Sequence, residues 1–182
     1  MLLLANLLAF KIAWVASVVG AATQMPWLGP IAVSVALALH LRAARRPFEE
    51  VLLVLSCALI GASFDSFLVA SGWVSYTAGV FSDYLAPYWI ITMWMLFATT
   101  LNVSMRWLRG KTRLAVLIGF IGGPASYLGG QAVGSVILID EIAALIALAI
   151  GWAVIMPLLM RLSQSLDGMP GPRRVWIAES SR

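Results

Sequence analysis

The chain has 182 residues, of which 62% are hydrophobic and only 11% are charged, and its formal net charge is +4. A soluble domain typically carries about 25% charged residues, so this composition excludes an ordinary water-soluble fold and favours an integral membrane protein. The basic residues are divided among short gaps between apolar runs. This distribution argues against nucleic-acid binding and favours anionic lipid head groups as their counterions.

The long apolar runs predict an all-α, polytopic membrane protein with six transmembrane helices. A hydrocarbon core of about 30 Å needs about 20 apolar residues per helix. Helices are expected because lipid cannot hydrogen-bond free backbone groups. In chain order, the predicted spans cover residues 2–22, 27–41, 51–72, 86–108, 114–130 and 136–160. They form one transmembrane domain, residues 1–162, and the polar residues 163–182 are predicted to be a flexible cytoplasmic tail.

The positive charges predict how the chain is threaded. Of the 12 Lys and Arg residues, all but Lys11 lie in alternate gaps: in 42–46, in 106–113 and after the last span. Short basic loops resist export, so these gaps are predicted to be cytoplasmic. An even number of spans then places both termini in the cytoplasm.

Four ionisable residues inside predicted spans are functional candidates, because burying a charge in a membrane is costly. They are Lys11 in span one, Asp65 in span three, and Asp140 with Glu141 in span six. Asp140 lies nearer the outer surface and is expected to be solvated, which leaves the carboxylates of Asp65 and Glu141. At a rise of about 1.5 Å per residue, the two carboxylates lie about 10 and 8 Å inside the outer ends of their spans. We predict that Lys11 forms an ion pair with Asp65 or Glu141. The alternative is that these charges only fix the register of the helices.

Span four carries a polar stripe in which Trp94, Ala98 and Asn102 recur at every fourth residue. An Asn inside a span usually hydrogen-bonds a neighbouring helix. Packing between helices is therefore one interpretation of the stripe, and contact with a ligand is the other.

Span five is rich in small residues, and its candidates for helix packing and a kink are Gly122, Gly123, Pro124, Ser126 and Gly130. Small residues let helices approach closely, and Pro124 removes a backbone donor and predicts a kink. A kinked helix at this depth is tolerated where protein or a wet cavity covers it. Two interpretations stay open: a binding crevice beside Asp65 and Tyr127, or a tight helix crossing.

The sequence contains no catalytic signature. It has no nucleotide-binding glycine pattern and no nucleophile elbow. The single cysteine, Cys57, and the single histidine, His40, predict no clustered metal site, and we expect no metal and no cofactor. An enzyme is the less favoured interpretation, and no catalytic residue is assigned.

The functional hypothesis is a polar crevice within the membrane that binds a lipid or a small amphipathic metabolite, for transport or presentation. Its predicted ligand-binding residues are Asp65, Trp94, Asn102, Tyr127 and Glu141. Membrane lipids are expected partners. The alternatives are an accessory subunit that docks another membrane protein through the small residues of span five, and a membrane-embedded enzyme of lipid metabolism.

Most of the chain resembles a bacterial inner-membrane family known as domain of unknown function 2878. The resemblance rests on Asn6, Trp14 and the segments 26–30 (PWLGP), 61–65 (GASFD), 87–89 (PYW), 94–102 (WMLFATTLN), 104–108 (SMRWL) and 122–130 (GGPASYLGG). It implies a compact multi-span protein in the bacterial inner membrane, and it leaves the function open.

Overall fold

The computed structural model describes residues 2–171, which form six α-helices and one two-stranded sheet. In chain order the elements are α1 Leu2–Ala22, α2 Leu28–Ala43, α3 Pro47–Ala70, β1 Val74–Tyr76, α4 Tyr88–Leu101, α5 Thr112–Val133, β2 Val136–Leu138 and α6 Glu141–Ser165. The predicted all-helical architecture is confirmed, with two short strands that the sequence analysis did not predict.

Four helices, α1, α3, α5 and α6, are long and apolar enough to cross a membrane. The other two are also apolar but shorter, with 16 residues in α2 and 14 in α4. At about 1.5 Å per residue, α4 is only about 21 Å long. The four long apolar helices indicate a membrane protein.

Helix α4 lies at the centre of the bundle, in contact with α1, α2, α3 and α6. Trp89, Leu96, Ala98 and Leu101 of this helix are each at most 1% exposed. The helix ends at Leu101, earlier than the predicted boundary at residue 108, and a single 3-10 turn follows at 106–108. In this connection Asn102 and Leu108 are buried, whereas Trp107 is exposed.

The sheet joins two connections that are distant in sequence, the one after α3 and the one after α5. The strands are antiparallel, with Val74 opposite Leu138 and Tyr76 opposite Val136. These four side chains are buried, whereas Ile137 between two of them is exposed. We call this end of the bundle the sheet end. The opposite end carries residues 42–46 and 106–113, and we call it the basic end.

Helix α5 runs through Pro124 without interruption and ends three residues beyond the predicted boundary, at Val133. Gly134 follows with a φ of 91°, a left-handed conformation that lets the chain turn directly into β2. Pro124 therefore does not break the helix, and the kink itself stays a prediction.

The structure describes residues 163–171 of the predicted tail, and these residues are ordered against the bundle. Helix α6 continues to Ser165, and residues 166–170 then fold back onto the basic end of the bundle. Gly168 and Met169 are buried there. The remainder of the predicted tail, residues 172–182, lies outside the described residues.

Candidate functional site

The most deeply buried acidic group near the sheet end is Asp65 of α3, whose exposed fraction is 0%. Its Oδ1 accepts a hydrogen bond from the Tyr76 hydroxyl at 2.7 Å and another from the Tyr127 hydroxyl. Its Oδ2 accepts from Nε1 of Trp94 at 2.6 Å. An isolated buried carboxylate is very costly, and here three uncharged donors stabilise it where a cation was predicted. We call these four residues the Asp65 cluster.

Each donor of the Asp65 cluster comes from a different element, so the cluster ties β1, α4 and α5 to α3. Gly61 makes the contact with α4 possible, because a Cβ atom at this position would come within 2.0 Å of the Trp94 ring. Burial is the main cause that raises the pKa of the Tyr76 hydroxyl well above its ordinary value, and the nearby Asp65 carboxylate raises it further. The hydroxyl therefore keeps its proton and stays a donor.

An aromatic stack extends the cluster toward α6. The rings of Trp94 and Trp152 are stacked with their centroids 4.7 Å apart and their planes 16° apart. Gly123 of α5 admits the Trp152 side chain, because a Cβ at this glycine would lie 2.4 Å from the indole. Gly119 does the same for the Trp152 backbone, whose carbonyl oxygen would lie 2.2 Å from an added Cβ. The small residues of α5 therefore serve close packing against α6.

A cavity of about 190 Å³ lies beside this stack. Residues of α1, α4, α5 and α6 line it, together with Met105 of the α4–α5 connection and residues 135 and 136 at the start of β2. The lining includes no charged side chain among the residues described. Its α1 wall is Phe10, Trp14 and Val18. Its α5 wall includes Gly122 and Ser126, which are also partly or fully exposed on the surface of α5. The cavity therefore reaches the side of the bundle between α1 and α5.

The structure brings together three of the five predicted ligand-binding residues. Trp94 and Tyr127 each donate a hydrogen bond to Asp65, and both also line the cavity. The predicted packing residues Gly122, Gly123, Ser126 and Gly130 line it as well.

Glu141 and Lys11 do not join this group. Glu141 is exposed in the first turn of α6, and Lys11 is exposed on α1. Neither forms an ion pair within residues 2–171, and Asp65 pairs with neutral donors instead. The structure therefore does not form the predicted Lys11 ion pair, because the lysine points away from the bundle.

Asn102 lies at the basic end, far from the predicted crevice, in a second buried polar cluster. Its Nδ2 donates to Oε1 of Glu50 at 2.7 Å, and the Gly168 backbone N–H donates to the same oxygen at 2.8 Å. His40 Nε2 lies 2.8 Å from the other Glu50 oxygen. Glu50 is 0% exposed. The sequence analysis missed Glu50 because it lies just outside the predicted third span, beside a basic loop that suggests solvent.

Two arginines join this second cluster to the segment that follows α6. Arg106 and Arg109 each donate to one carboxylate oxygen of Asp167, both at 2.8 Å. Arg109 also donates to the side-chain oxygen of Asn102. We call His40, Glu50, Asn102, Arg106, Arg109 and Asp167 the Glu50 cluster. Its contacts fasten the chain after α6 to α3 and to the connection between α4 and α5.

The comparison with protein families finds a match over residues 3–158 to the family described as "Protein of unknown function (DUF2878)". The chain belongs to this family. The match covers most of the chain and includes both the Asp65 cluster and the cavity. No curated protein and no solved structure matches the chain.

Proposed function

We propose that this DUF2878 protein crosses the bacterial inner membrane six times, with its basic end in the cytoplasm, and binds a lipid or small amphipathic metabolite in the cavity. All the basic residues of 42–46 and 106–113 lie at one end of the bundle, which supports this threading. Both ends of the chain are then cytoplasmic. Helices α2 and α4 complete the six spans, and α4 tolerates its short length because other helices enclose it.

The observation that carries the binding proposal is an apolar cavity that reaches the side of the bundle. A ligand dissolved in the bilayer can enter sideways between α1 and α5 without leaving the membrane. Aromatic and aliphatic walls with a few polar groups are typical of small-molecule sites. Transport or presentation of the bound molecule is the role that we propose.

Two glycines of α5 give a matched test. A Cβ at Gly122, which lines the cavity, meets nothing within 4 Å, and neither does a Cβ at Gly129, which lies two turns further along and outside the lining. Both glycines are half-buried in the helix, so Gly122→Phe and Gly129→Phe change helix propensity equally. Only the first places a ring at the mouth of the cavity.

The measurement is native mass spectrometry of the purified full chain, followed by lipid extraction. We expect the wild type and Gly129→Phe to retain a small amphipathic ligand, and Gly122→Phe to lose most of it. Equal retention by the two variants would place the ligand elsewhere and contradict the proposal. A retained second polypeptide, lost in Gly129→Phe but not in Gly122→Phe, would support the accessory-subunit alternative instead.

A further inference from the structure

The polarity of the cavity changes along its length. Lining residues of α5 extend from Ile118 to Gly130, about 18 Å along the helix axis. Toward the sheet end the lining contains the hydroxyl groups of Ser126, Tyr127 and Ser135, whereas toward the basic end it contains thioether and aliphatic groups (Met105, Ile118, Met156). An amphipathic ligand therefore has one orientation in which its polar group meets hydroxyls and its chain meets hydrocarbon.

Each of the three hydroxyl groups already donates a hydrogen bond within the protein. Ser126 and Ser135 each donate to a backbone carbonyl oxygen of α5, at 2.8 and 3.1 Å, and Tyr127 donates to Asp65. A hydroxyl has one proton and two lone pairs, and carbonyl and carboxylate oxygens only accept. Ser135 is 0% exposed, so what the wall offers to a ligand is the acceptor lone pairs of Ser126, which is exposed, and of Tyr127. The lining also includes Trp152, whose buried indole Nε1–H has no acceptor among the described residues, so the polar group that matches this wall best can both donate and accept.

The charge that the polar group of the ligand can carry is limited as well. The lining includes no charged side chain among the residues described, so an ionised group would enter the cavity without a counter-ion. A carboxylate or phosphate head group has no proton to donate at neutral pH and would lose its hydration there. An ammonium group can donate, but it would lose its hydration, and Asp65 already accepts from three donors.

We infer that the ligand is a single-chain amphipath with an uncharged hydroxyl as its polar group, held near Ser126 and Tyr127 with its chain directed toward Met105 and Met156. A hydroxyl donates to the acceptor oxygens of the wall and carries no charge to desolvate. The inference rests on the proposed function and names the chemical class of its ligand.

The test uses the full chain in phosphatidylcholine nanodiscs with three photoreactive probes. The probes share one saturated chain with a diazirine at its methyl end, and they differ only in the polar group: an alcohol, a carboxylate or an ammonium. We expect the alcohol to label the protein about fivefold more than the other two, as one net hydrogen bond of about 1 kcal/mol predicts. The label should map to peptides that contain Met105 or Met156.

A serine pair supplies the matched control. Ser126 on α5 and Ser63 on α3 are both exposed, and each donates at 2.8 Å to the carbonyl oxygen four residues earlier, but only Ser126 lines the cavity. Ser126→Ala should lower labelling by the alcohol about two- to tenfold. Ser63→Ala should leave it unchanged.

The outcomes separate this inference from the proposed function. Equal or stronger labelling of the same peptides by the carboxylate or the ammonium probe would overturn the hydroxyl inference while lipid binding stands. Alcohol labelling confined to peptides of the sheet end would overturn the orientation. If all three probes label the wild type no more than they label the Gly122→Phe variant, the proposed function itself is contradicted.

Discussion

Replacing Gly61 by alanine tests whether the close approach of α3 and α4 holds the Asp65 cluster together. The new Cβ would lie 2.0 Å from the Trp94 ring, so the indole must move and its 2.6 Å hydrogen bond to Asp65 is lost. A lost hydrogen bond to a charged group costs about 1.5–3 kcal/mol, and overpacking costs about 1–3 kcal/mol. Alanine gains about 1 kcal/mol of helix propensity. The expected net loss is about 1.5–5 kcal/mol of unfolding free energy.

The assay is reversible unfolding of the full chain in mixed micelles, followed by tryptophan fluorescence. Gly129→Ala is the control, because an added Cβ there meets nothing within 4 Å, and we expect it to be neutral or stabilising by up to about 1 kcal/mol. If Gly61→Ala unfolds at the same free energy as the wild type, Trp94 does not pack against α3 as described, and the argument for the Asp65 cluster fails.

Two further substitutions test the basic end and α1. Gly168→Ala would place a Cβ 2.1 Å from the Arg46 carbonyl oxygen, so the chain after α6 must leave Glu50. We expect Gly168→Ala to lower the unfolding free energy by about 2–4 kcal/mol. Gly171→Ala is the control, because an added Cβ there meets nothing within 4 Å, and its unfolding free energy should stay within about 0.5 kcal/mol of the wild type. Equal unfolding free energies for the two variants would show that the segment after α6 contributes nothing to stability. Lys11→Met should not lower the unfolding free energy, because Lys11 is exposed and forms no ion pair within residues 2–171, and methionine removes a charge from a membrane span. A loss above about 2 kcal/mol would instead support the ion pair that the sequence suggested.

The Asp65 cluster shows how far physical reasoning from the sequence reaches. The cost of a charge inside a span singles out Asp65, and estimates of depth along the helices place Tyr127 near it. The predicted partner of Asp65 differs from the observed ones, because reasoning from opposite charges selects Lys11 and overlooks the uncharged donors that bind Asp65 in the structure. Tyr76 lies outside the predicted spans, and only the sheet brings its hydroxyl to the carboxylate.

The Glu50 cluster was missed for a related reason. Glu50 is followed by a long apolar run and preceded by basic residues, a context in which most carboxylates face water. Its burial depends on residues about fifty and more than a hundred positions later, Asn102 and Gly168. The sequence singles out Asn102 as a polar residue of a helix. Only the structure shows that α4 ends there, which places the Asn102 side chain at the basic end beside Glu50.

The sequence by itself determined the class of this protein, its helices and the most conspicuous buried carboxylate, because apolar run lengths and the cost of charge in hydrocarbon act locally along the chain. The tertiary structure decided which donors satisfy Asp65 and Glu50, how the chain after α6 is held, and that a cavity opens between α1 and α5. These features depend on which helix faces which. In a bundle whose helices are apolar on nearly every side, close contacts such as those of Gly61 and Gly123 set that choice, and hydropathy does not.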